Sequence, residues 1–464
     1  MTLGFEEFWD RFTKVEAKSG AIAARFSGVQ LYPLLRTRIF YAVAQGIGLF
    51  DNPHPNFAKP QLPEGLPALP NLETLTKVDA IVIPFRRRVA GAEPYSDAIR
   101  ARLAAEGKSV RVIDFDFDQA AYAADSSVLD LARLREAYTA RFTEQVNKNL
   151  RITSREPAEN RWTKIITAFE AEFGIQLEKF AKYPKYLVRR TLIDQLGFAE
   201  LFQNLGAKEL YIVNAYSEPS LVLAAKRAGL TVTEIQHGFI SKFHPAYSYP
   251  GRSSLAKAFK TKVDSVAQQI ATWGPYWGQD TKLPRGTKTV VTGPTQPFAE
   301  YRTKALAENR IVAKQVLFTS QGAIGAELFL AAIKTAHQLP DHTVIYRLHP
   351  NESLDDYRAL AKQLGASHGL THPANFSLSH RDPIFLDLVS QSEYLIGAFS
   401  TTLFEGLALG CKVLVLPLSG YENVLPAIES GDLTLISRLE ALPEYLAAAK
   451  PATDPFRYYA KVPQ

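Results

Sequence analysis

Short apolar runs of strand character alternate with helical segments along this chain of 464 residues, and the alternation occurs in two separate stretches. Strand-helix-strand units build parallel sheets, because the crossover helix returns the chain to the same sheet. The later stretch predicts strands at 315–319, 343–348, 368–372, 393–397 and 412–417. We therefore expect an α/β protein with two doubly wound, Rossmann-like domains.

The earlier stretch has the same alternation but is interrupted by a long segment of helical pattern. It predicts strands at 78–84, 110–114, 210–213, 231–235, 271–274 and 289–294. Residues 128–205 contain few glycines and predict a helical insertion in the first domain. We place the two domains at 1–285 and 286–464 and expect them to face a cleft, where ligands commonly bind.

Composition excludes several classes of protein. The single cysteine, Cys411, rules out a disulfide framework and a cysteine-built zinc site. The sequence contains no run of about 18 apolar residues and no basic-then-apolar leader, so we expect a cytoplasmic protein without a spanning helix.

The net charge of +6 favours anionic partners such as nucleotides, an acidic glycan or phospholipid head groups. A peripheral contact with the inner face of an anionic membrane is therefore a further expectation. The basic clusters at 86–88 and 189–190 lack interleaved aromatic residues, so we expect no nucleic-acid partner. A scattered, solvated surface is the alternative explanation of the charge.

Two polar motifs follow predicted strands of the second domain, about 50 residues apart. The first contains Arg347, His349 and Pro350, and the second contains Ser400, Thr401 and Thr402. Ligands of open parallel sheets bind outside the carboxyl ends of the strands, and hydroxyls with free N–H groups at a helix start bind anions. These motifs predict a nucleotide-phosphate site, with a capping histidine in a proline turn as the alternative for His349.

Other residues of the second domain extend this predicted donor site. Ser320, Gln321 and Gly322 join the first strand to a helix and can wrap a phosphate or a sugar, although a simple polar turn is the alternative. Glu405 lies one helical turn after Thr401 and can accept two hydroxyl hydrogen bonds from a ribose diol. The alternative for Glu405 is a first-turn acid that complements the helix dipole.

The candidate general base lies in the first domain, at the end of the strand 231–235. His237 is followed by Gly238, which lets the backbone turn sharply. An imidazole with a pKa near 6.5 can remove a proton from an acceptor hydroxyl. Glu218, at the end of another strand, is the competing base, and a buried, hydrogen-bonded histidine is the structural alternative.

Four residues of the first domain are candidates for binding an acceptor, because they flank the same strand ends or lie in the loop after His237. They are Arg86, Asp97, His244 and Tyr247. The sequence contains no HExxH motif or other spacing of metal ligands, so we predict chemistry without a metal or a cofactor. No pair of carboxylates has a spacing that favours glycoside hydrolysis.

The order of these motifs resembles that of GT-B glycosyltransferases, which contain two Rossmann-like domains. His349-Pro350 with Ser400-Thr401-Thr402 resembles the His-Pro and Ser/Thr motifs of bacterial sialyltransferases and polysialyltransferases. Gln236-His237-Gly238 with His349-Pro350 resembles CDP-glycerol glycerophosphotransferases and other capsule-polysaccharide transferases. The acidic base motif of the sialyltransferases is absent, which argues against sialic acid as the transferred group.

The resemblance implies a metal-independent, inverting glycosyltransferase of bacterial surface-polysaccharide assembly. Its donor would be a nucleotide sugar, with CMP or CDP favoured over UDP or GDP, and its acceptor a glycan or a lipid-linked glycan. His237 or Glu218 would be the base, and His349, Ser400, Thr401 and Thr402 would stabilise the leaving phosphate. Two alternatives remain, a non-hydrolysing nucleotide-sugar epimerase of the same fold and a non-catalytic glycan- or nucleotide-binding protein.

Overall fold

A computed structural model describes most of the chain as two compact units, each built on one parallel sheet. The described residues are 3–50, 69, 71–85, 93, 95–114, 128–152, 155–249, 262–294, 301, 304, 307–308, 312–350, 352–369 and 373–460. One unit comprises Trp9–Gly46 and Ala58–Gln296, and the other Met1–Phe8, Ile47–Phe57 and Pro297–Gln464. We call them the seven-stranded unit and the six-stranded unit after their sheets.

The seven-stranded unit contains a small antiparallel hairpin and one large parallel sheet. The hairpin pairs β1 (Arg25–Phe26) with β2 (Val29–Gln30). The sheet contains β3 (Ala80–Ile83), β4 (Val110–Asp114), β5 (Val128–Asp130), β6 (Glu209–Val213), β7 (Thr231–Ile235), β8 (Gln269–Thr272) and β9 (Lys288–Val291). Its strand order is β5-β4-β3-β6-β7-β8-β9, and all neighbours are parallel.

The six-stranded unit repeats this winding. Its strands are β10 (Val312–Thr319), β11 (Thr343–Arg347), β12 (Phe376–Ser379), β13 (Ser392–Gly397), β14 (Lys412–Val415) and β15 (Thr434–Leu435). They lie in the order β12-β11-β10-β13-β14-β15 and are all parallel. Val316, Leu317 and Phe318 of β10 are fully buried, as expected for a central strand covered on both faces.

Helices connect the strands in both units. Up to residue 230 they are α1 (Phe5–Ser19), α2 (Leu31–Gly46), α3 (Asp97–Ala105), α4 (Leu131–Ile152), α5 (Arg155–Phe173), α6 (Glu178–Ala181), α7 (Lys185–Leu205) and α8 (Pro219–Arg227). Later in the chain they are α9 (Gly325–Gln338), α10 (Leu354–His368), α11 (Phe385–Gln391), α12 (Thr401–Leu409), α13 (Leu425–Glu429) and α14 (Leu442–Ala448). Within the described ranges, no helix combines the length and the apolar character needed to cross a membrane.

The prediction of two doubly wound, Rossmann-like α/β sheets is confirmed. The predicted helical insertion is present as α4 to α7, although its first residues, Val128–Asp130, form the edge strand β5. The insertion packs closely, because Gly197 of α7 lies against the ring of Tyr138 of α4 and leaves no room there for a Cβ atom.

One predicted strand of the second domain is wrong. The segment 368–372 begins with the last residue of α10, and Gly369 at φ 64° ends that helix in the left-handed conformation. Residues 370–372 lie outside the described residues. The strand at this position in the sheet is β12, whose Phe376 pairs with Val344 of β11. The segment contains a single aliphatic residue, and a glycine directly after a helical pattern is a common helix end, so the local sequence favoured a helix C-terminus here.

Candidate functional site

The six-stranded sheet has a topological switch point between β10 and β13. From β10 the chain winds outward through β11 to β12, and it then returns to the other side of β10 as β13. The connections after these two strands leave on opposite faces of the sheet, and ligands of such sheets bind in the crevice between them. Strand β10 ends at Thr319 and is followed by Ser320 and Gln321, and β13 is followed by Ala398, Phe399 and Ser400.

The two strand ends are joined by hydrogen bonds across the switch point. The Gln321 side-chain oxygen accepts from the backbone N–H of Phe399 at 3.0 Å, and the Thr402 hydroxyl donates to that of Thr319 at 3.1 Å. A Cβ atom on Gly397 would lie 3.0 Å from the Thr319 hydroxyl, so glycine is needed for this close approach. The structure therefore brings Gln321 and Thr402 of the predicted donor site together.

Helix α12 begins at the switch point. Ser400 is its N-cap, and the Ser400 hydroxyl accepts from the backbone N–H of Thr402 at 3.3 Å. Thr401, Thr402 and Glu405 are half-buried, and Glu405 lies one turn into the helix. The helix start thus presents hydroxyl groups and N–H groups together with the positive end of the helix dipole, which is the chemistry that binds anions.

A carboxylate that the sequence analysis did not single out supports the neighbouring strand end. Glu352 accepts hydrogen bonds from the backbone N–H of His349 at 2.6 Å, from the Ser320 hydroxyl at 2.9 Å and from the Tyr357 hydroxyl at 2.8 Å. His349 and Pro350 are exposed, and Gly322 lies beside Glu352. Its position just before the N-cap Ser353 is not that of a capping-box acid, so no local pattern in the sequence marked it.

The Arg347 side chain contacts β12, the neighbour of β11 that lies away from the switch point. Its guanidinium donates to the Ser379 hydroxyl at 2.7 Å and to the Arg381 carbonyl at 3.2 Å. Burial lowers the pKa of Arg347 below its ordinary value, and Asp382 partly opposes that shift. To bind the donor as predicted, the Arg347 guanidinium would have to give up its hydrogen bonds at the end of β12.

The seven-stranded sheet has its own switch point, between β3 and β6, and His237 lies beside it after β7. The His237 ring is half-buried among aromatic rings, with centroids 5.3 Å from Phe85, 6.3 Å from Tyr95 and 5.6 Å from Tyr216. Its Nε2 lies 3.3 Å from the Tyr216 hydroxyl. Its Nδ1 is buried, and the backbone of Ile235 interacts with the ring.

Burial keeps His237 neutral. It lowers the pKa of His237 to about 4, because the charged imidazolium would lose its hydration among these aromatic rings. An unperturbed imidazole has a pKa of about 6.5. A neutral ring is present at pH 7 in either case, but a ring with this lower pKa is a weaker base.

The loop after His237 brings two of the predicted acceptor residues to the same cluster. The His244 ring lies 4.7 Å from the Tyr247 ring and 5.6 Å from Tyr216, and its Nδ1 accepts from the Ala246 N–H at 3.1 Å. Burial, together with His237 and Arg36, lowers the pKa of His244 to about 3. His237, His244 and Tyr247 thus meet in one aromatic cluster.

A buried carboxyl group lies beneath this cluster and was not predicted as a site residue from the sequence. Glu234 of β7 accepts from the Tyr247 hydroxyl at 2.8 Å and from the Ala215 N–H at 3.1 Å. Burial raises its pKa to about 7, and these hydrogen bonds partly oppose the shift. Its strand, Thr231–Ile235, contains two threonines beside its apolar residues, so no local pattern in the sequence marked this acid.

A buried ion pair anchors the loop from the other side. The Arg36 guanidinium donates to both carboxylate oxygens of Glu16, at 2.5 and 2.8 Å, and to the backbone carbonyls of Ser248 (2.7 Å) and Pro245. Both side chains are almost completely buried. The guanidinium also lies over the Tyr249 ring, 4.3 Å from its centroid. Helices α1 and α2 thereby hold the loop that carries His244 and Tyr247.

Glu218, the competing base, is held in a second ion-pair cluster. Its carboxylate accepts from Arg135 at 2.5 Å, and Arg135 also contacts Asp194 at 3.2 Å. Asp194 accepts in addition from the Ser220 hydroxyl at 2.6 Å. This cluster joins α4 and α7 of the insertion to the start of α8, so Glu218 already has a structural partner.

Asp97 and Arg86 are the remaining acceptor candidates. Asp97 begins α3, accepts from the Glu93 N–H at 3.0 Å and is near Arg100 at 3.4 Å. Arg86 lies outside the described residues. Across the described ranges, no group of three or more His, Cys, Asp or Glu side chains is arranged to hold a metal ion.

Two parallel sheets of Rossmann type, each with polar side chains at its switch point, define a two-domain α/β protein whose ligands are expected at the carboxyl ends of the strands. No protein-family model matches the chain, and no curated protein matches it.

Solved structures give distant similarities. One is a UDP-GlcNAc 2-epimerase from Methanocaldococcus jannaschii, with 11% identity, a TM-score of 0.45, and coverage of 79% of this chain and 91% of that one. A glycosyltransferase from Rickettsia africae has 12% identity and a TM-score of 0.43, covering 80% and 88%. MurG from Acinetobacter baumannii has 12% identity and a TM-score of 0.42, covering 80% and 90%. Because these TM-scores are below 0.5, the fold class rests on the strand order of each sheet.

Proposed function

We propose that this protein is a GT-B-type glycosyltransferase that uses a nucleotide sugar without a metal ion. The observation that carries the proposal is the switch point of the six-stranded sheet. There the N-terminus of α12, capped by Ser400, lies beside the polar turn that follows β10. Such a site suits the phosphate groups of a nucleotide.

The donor nucleotide would bind as follows. Ser400, Thr401 and Thr402 would contact the phosphate that leaves with the nucleotide, and His349 would donate from the adjacent strand end. Stabilising the negative charge that develops there is the largest expected contribution to rate. Glu405 would accept hydrogen bonds from the ribose diol. A cytidine nucleotide is favoured by the resemblance of the motifs, and the acceptor would be a bacterial surface or capsule glycan, free or lipid-linked.

His237 is the preferred base over Glu218. The Glu218 carboxylate is engaged by Arg135, whereas His237 makes no ion pair with any described residue. Because the pKa of His237 is about 4, proton removal would have to occur late, when the attacking hydroxyl has already become acidic. His244, Tyr247, Asp97 and Arg86 stay predictions for the acceptor.

A panel of nucleotides tests the proposal most directly. Thermal unfolding would be followed with CMP, CDP, UDP and GDP, each at about 100 times its dissociation constant. A nucleotide that binds only the folded protein then adds about 2.7 kcal/mol, which raises the melting temperature by several degrees. No shift with any of the four would contradict the proposed function.

Incubation with the matching nucleotide sugar alone, followed by NMR, separates transfer from epimerisation. A transferase leaves the sugar configuration unchanged until an acceptor is added. Conversion to a second nucleotide sugar without an acceptor would assign the chain to the epimerases instead.

The donor site gives a prediction for two single substitutions. His349→Ala and Ser400→Ala should each weaken nucleotide affinity in calorimetry, and His349→Ala should lower turnover on the order of 100-fold, as for the loss of one charge-stabilising donor. His337→Ala, at an exposed histidine of α9, is the matched control and should leave affinity unchanged. Unaltered nucleotide affinity in both site variants would rule out this phosphate site.

The base assignment gives a prediction that separates binding from chemistry. His237→Ala should lower the transfer rate by about 10²-fold to 10⁴-fold, the range for loss of general base catalysis, while nucleotide affinity stays at the wild-type value. Glu218→Gln tests the competing base. If Glu218→Gln stops transfer and His237→Ala retains most of it, the carboxylate is the base.

Metal independence is a further prediction. Hydroxyls, His349 and a helix start can meet the phosphate charge, so EDTA should leave the initial rate of transfer within about twofold of the untreated enzyme. Full loss of activity in EDTA, restored by manganese or magnesium, would contradict it.

A further inference from the structure

An exposed basic surface lies on the helical insertion and includes none of the candidate site residues. It is formed by α6, the following turn and the first residues of α7. The segment 178–190 contains five cations and one carboxylate, Glu178. We call this surface the basic face, and it consists of Lys179, Lys182, Lys185, Tyr186, Arg189 and Arg190, all exposed.

The basic face has a rigid support. The buried Trp162 of α5 donates from its indole Nε1 to the Phe180 carbonyl at 2.8 Å, which fixes α6. The Tyr183 ring packs on Phe26, with centroids 5.6 Å apart. Val188 is completely buried on the opposite side of α7. The cations are therefore displayed from a packed scaffold.

Five cations on this face stand against one carboxylate in the segment, Glu178, and a second, Glu159, beside Tyr183. None of its five cations forms an ion pair with a residue that the structure describes. Elsewhere in the insertion, the exposed Arg141 of α4 does pair with Glu200 of α7, at 2.7 Å. Lys185 and Arg189 are four residues apart on α7, as are Tyr186 and Arg190, so all four project from neighbouring positions of one helix surface.

We propose that the basic face docks this protein on an anionic lipid bilayer. Lys and Arg side chains close to such a surface are attracted by its negative potential, and the attraction adds over the cluster. Tyr186 has 63% of its surface exposed between the cations. A tyrosine ring with an apolar body and a polar tip suits the head-group region. One aromatic ring among five cations does not make the stacking platform of a nucleic-acid site.

Vesicle co-sedimentation of the full chain tests the proposal. The protein is mixed with phosphatidylcholine vesicles, with or without about 30% phosphatidylglycerol, in about 0.05 M and about 0.5 M NaCl. We expect binding to the anionic vesicles at low salt, weak binding at high salt and no binding to phosphatidylcholine alone. Each cation is expected to contribute on the order of fivefold to the partition coefficient.

A triple variant isolates the basic face. Lys185→Gln, Arg189→Gln and Arg190→Gln together should lower the partition coefficient on the order of 100-fold. Lys334→Gln, Lys362→Gln and Arg438→Gln make the same change in net charge at exposed positions of the six-stranded unit and should retain wild-type binding. Equal binding of the triple variant and the wild type would overturn the proposal.

Two further outcomes also decide the matter. Absence of wild-type binding to anionic vesicles at low salt would overturn it. The proposal would also be overturned if single-stranded DNA bound tightly in fluorescence anisotropy, lost affinity in the triple variant, and no vesicle bound. The basic face would then bind a nucleic acid.

Discussion

Replacing Arg36 by alanine is expected to lower the free energy of unfolding by about 3–5 kcal/mol, because Glu16 would remain buried without its countercharge. The two side chains are 0% and 2% exposed, so water cannot replace the lost partner. The same substitution removes the donors to the Pro245 and Ser248 carbonyls, which hold the loop after β7. Urea unfolding of the wild type and the variant measures this loss.

A double-mutant cycle separates the ion pair from the other contacts of Arg36. Glu16→Ala combined with Arg36→Ala should cost clearly less than the sum of the two single losses, since the double variant leaves neither charge unpaired. The exposed pair of Arg141 and Glu200, at 57% and 37% exposure, is the matched control. Arg141→Ala should cost less than about 1 kcal/mol. A loss for Arg36→Ala no larger than that of Arg141→Ala would refute the prediction.

Acidification should destabilise the protein through its two buried histidines. His237 and His244 have pKa values of about 4 and about 3 in the folded state, against about 6.5 when unfolded. The unfolded chain therefore binds protons first as the pH falls, so the stability present above pH 6.5 is lost toward pH 4. Each histidine should cost about 3 kcal/mol between pH 7 and pH 4.

Glu234 acts in the opposite direction over part of this range. Its pKa is raised to about 7 in the folded protein, so the folded state takes up this proton before the unfolded state does. Its contribution is fully present below the unfolded pKa of about 4.3 and is lost as the pH rises through 7. Between pH 7 and pH 4, protonation of Glu234 should add about 3 kcal/mol to the free energy of unfolding. The three groups together should therefore lower it by about 3 kcal/mol over this range.

Urea unfolding at several pH values between 4 and 8 measures these contributions. The double variant His237→Asn with His244→Asn should show a markedly flatter loss of stability below pH 6.5 than the wild type. Glu234→Gln should flatten the opposite change between pH 5 and pH 8. His337→Asn, at an exposed position, should follow the wild-type curve. Parallel curves for the double histidine variant and the wild type would show that these rings are not held neutral.

The positions of the candidate residues along the sheets could be predicted well from the sequence. Apolar runs mark strands, and the polar residues directly after them must lie at the carboxyl ends. This was enough to place His349 and Ser400 at the carboxyl-terminal edge of one sheet, and His237 at that of the other. The strand 368–372 failed because Gly369 ends a helix there, and the strand that pairs with β11 begins later, at Phe376.

The partners of these residues could not be predicted in the same way. Arg347 donates to Ser379, Glu218 pairs with Arg135 across 83 residues of sequence, and Arg36 reaches Pro245 across 209 residues. Glu352 and Glu234 were missed because their importance lies in what they accept, not in a local pattern.

The sequence by itself thus determined the two doubly wound sheets and the chemistry of their strand ends, because strand-helix alternation and strand ends are local properties of the chain. Tertiary structure alone decided which of those polar groups is charged, which is neutral and which is already engaged. The physical reason is that burial and hydrogen bonding depend on distant residues. His237 is neutral because Phe85, Tyr95 and Tyr216 surround it. Glu218 is ionically paired because the helical insertion brings Arg135 to it.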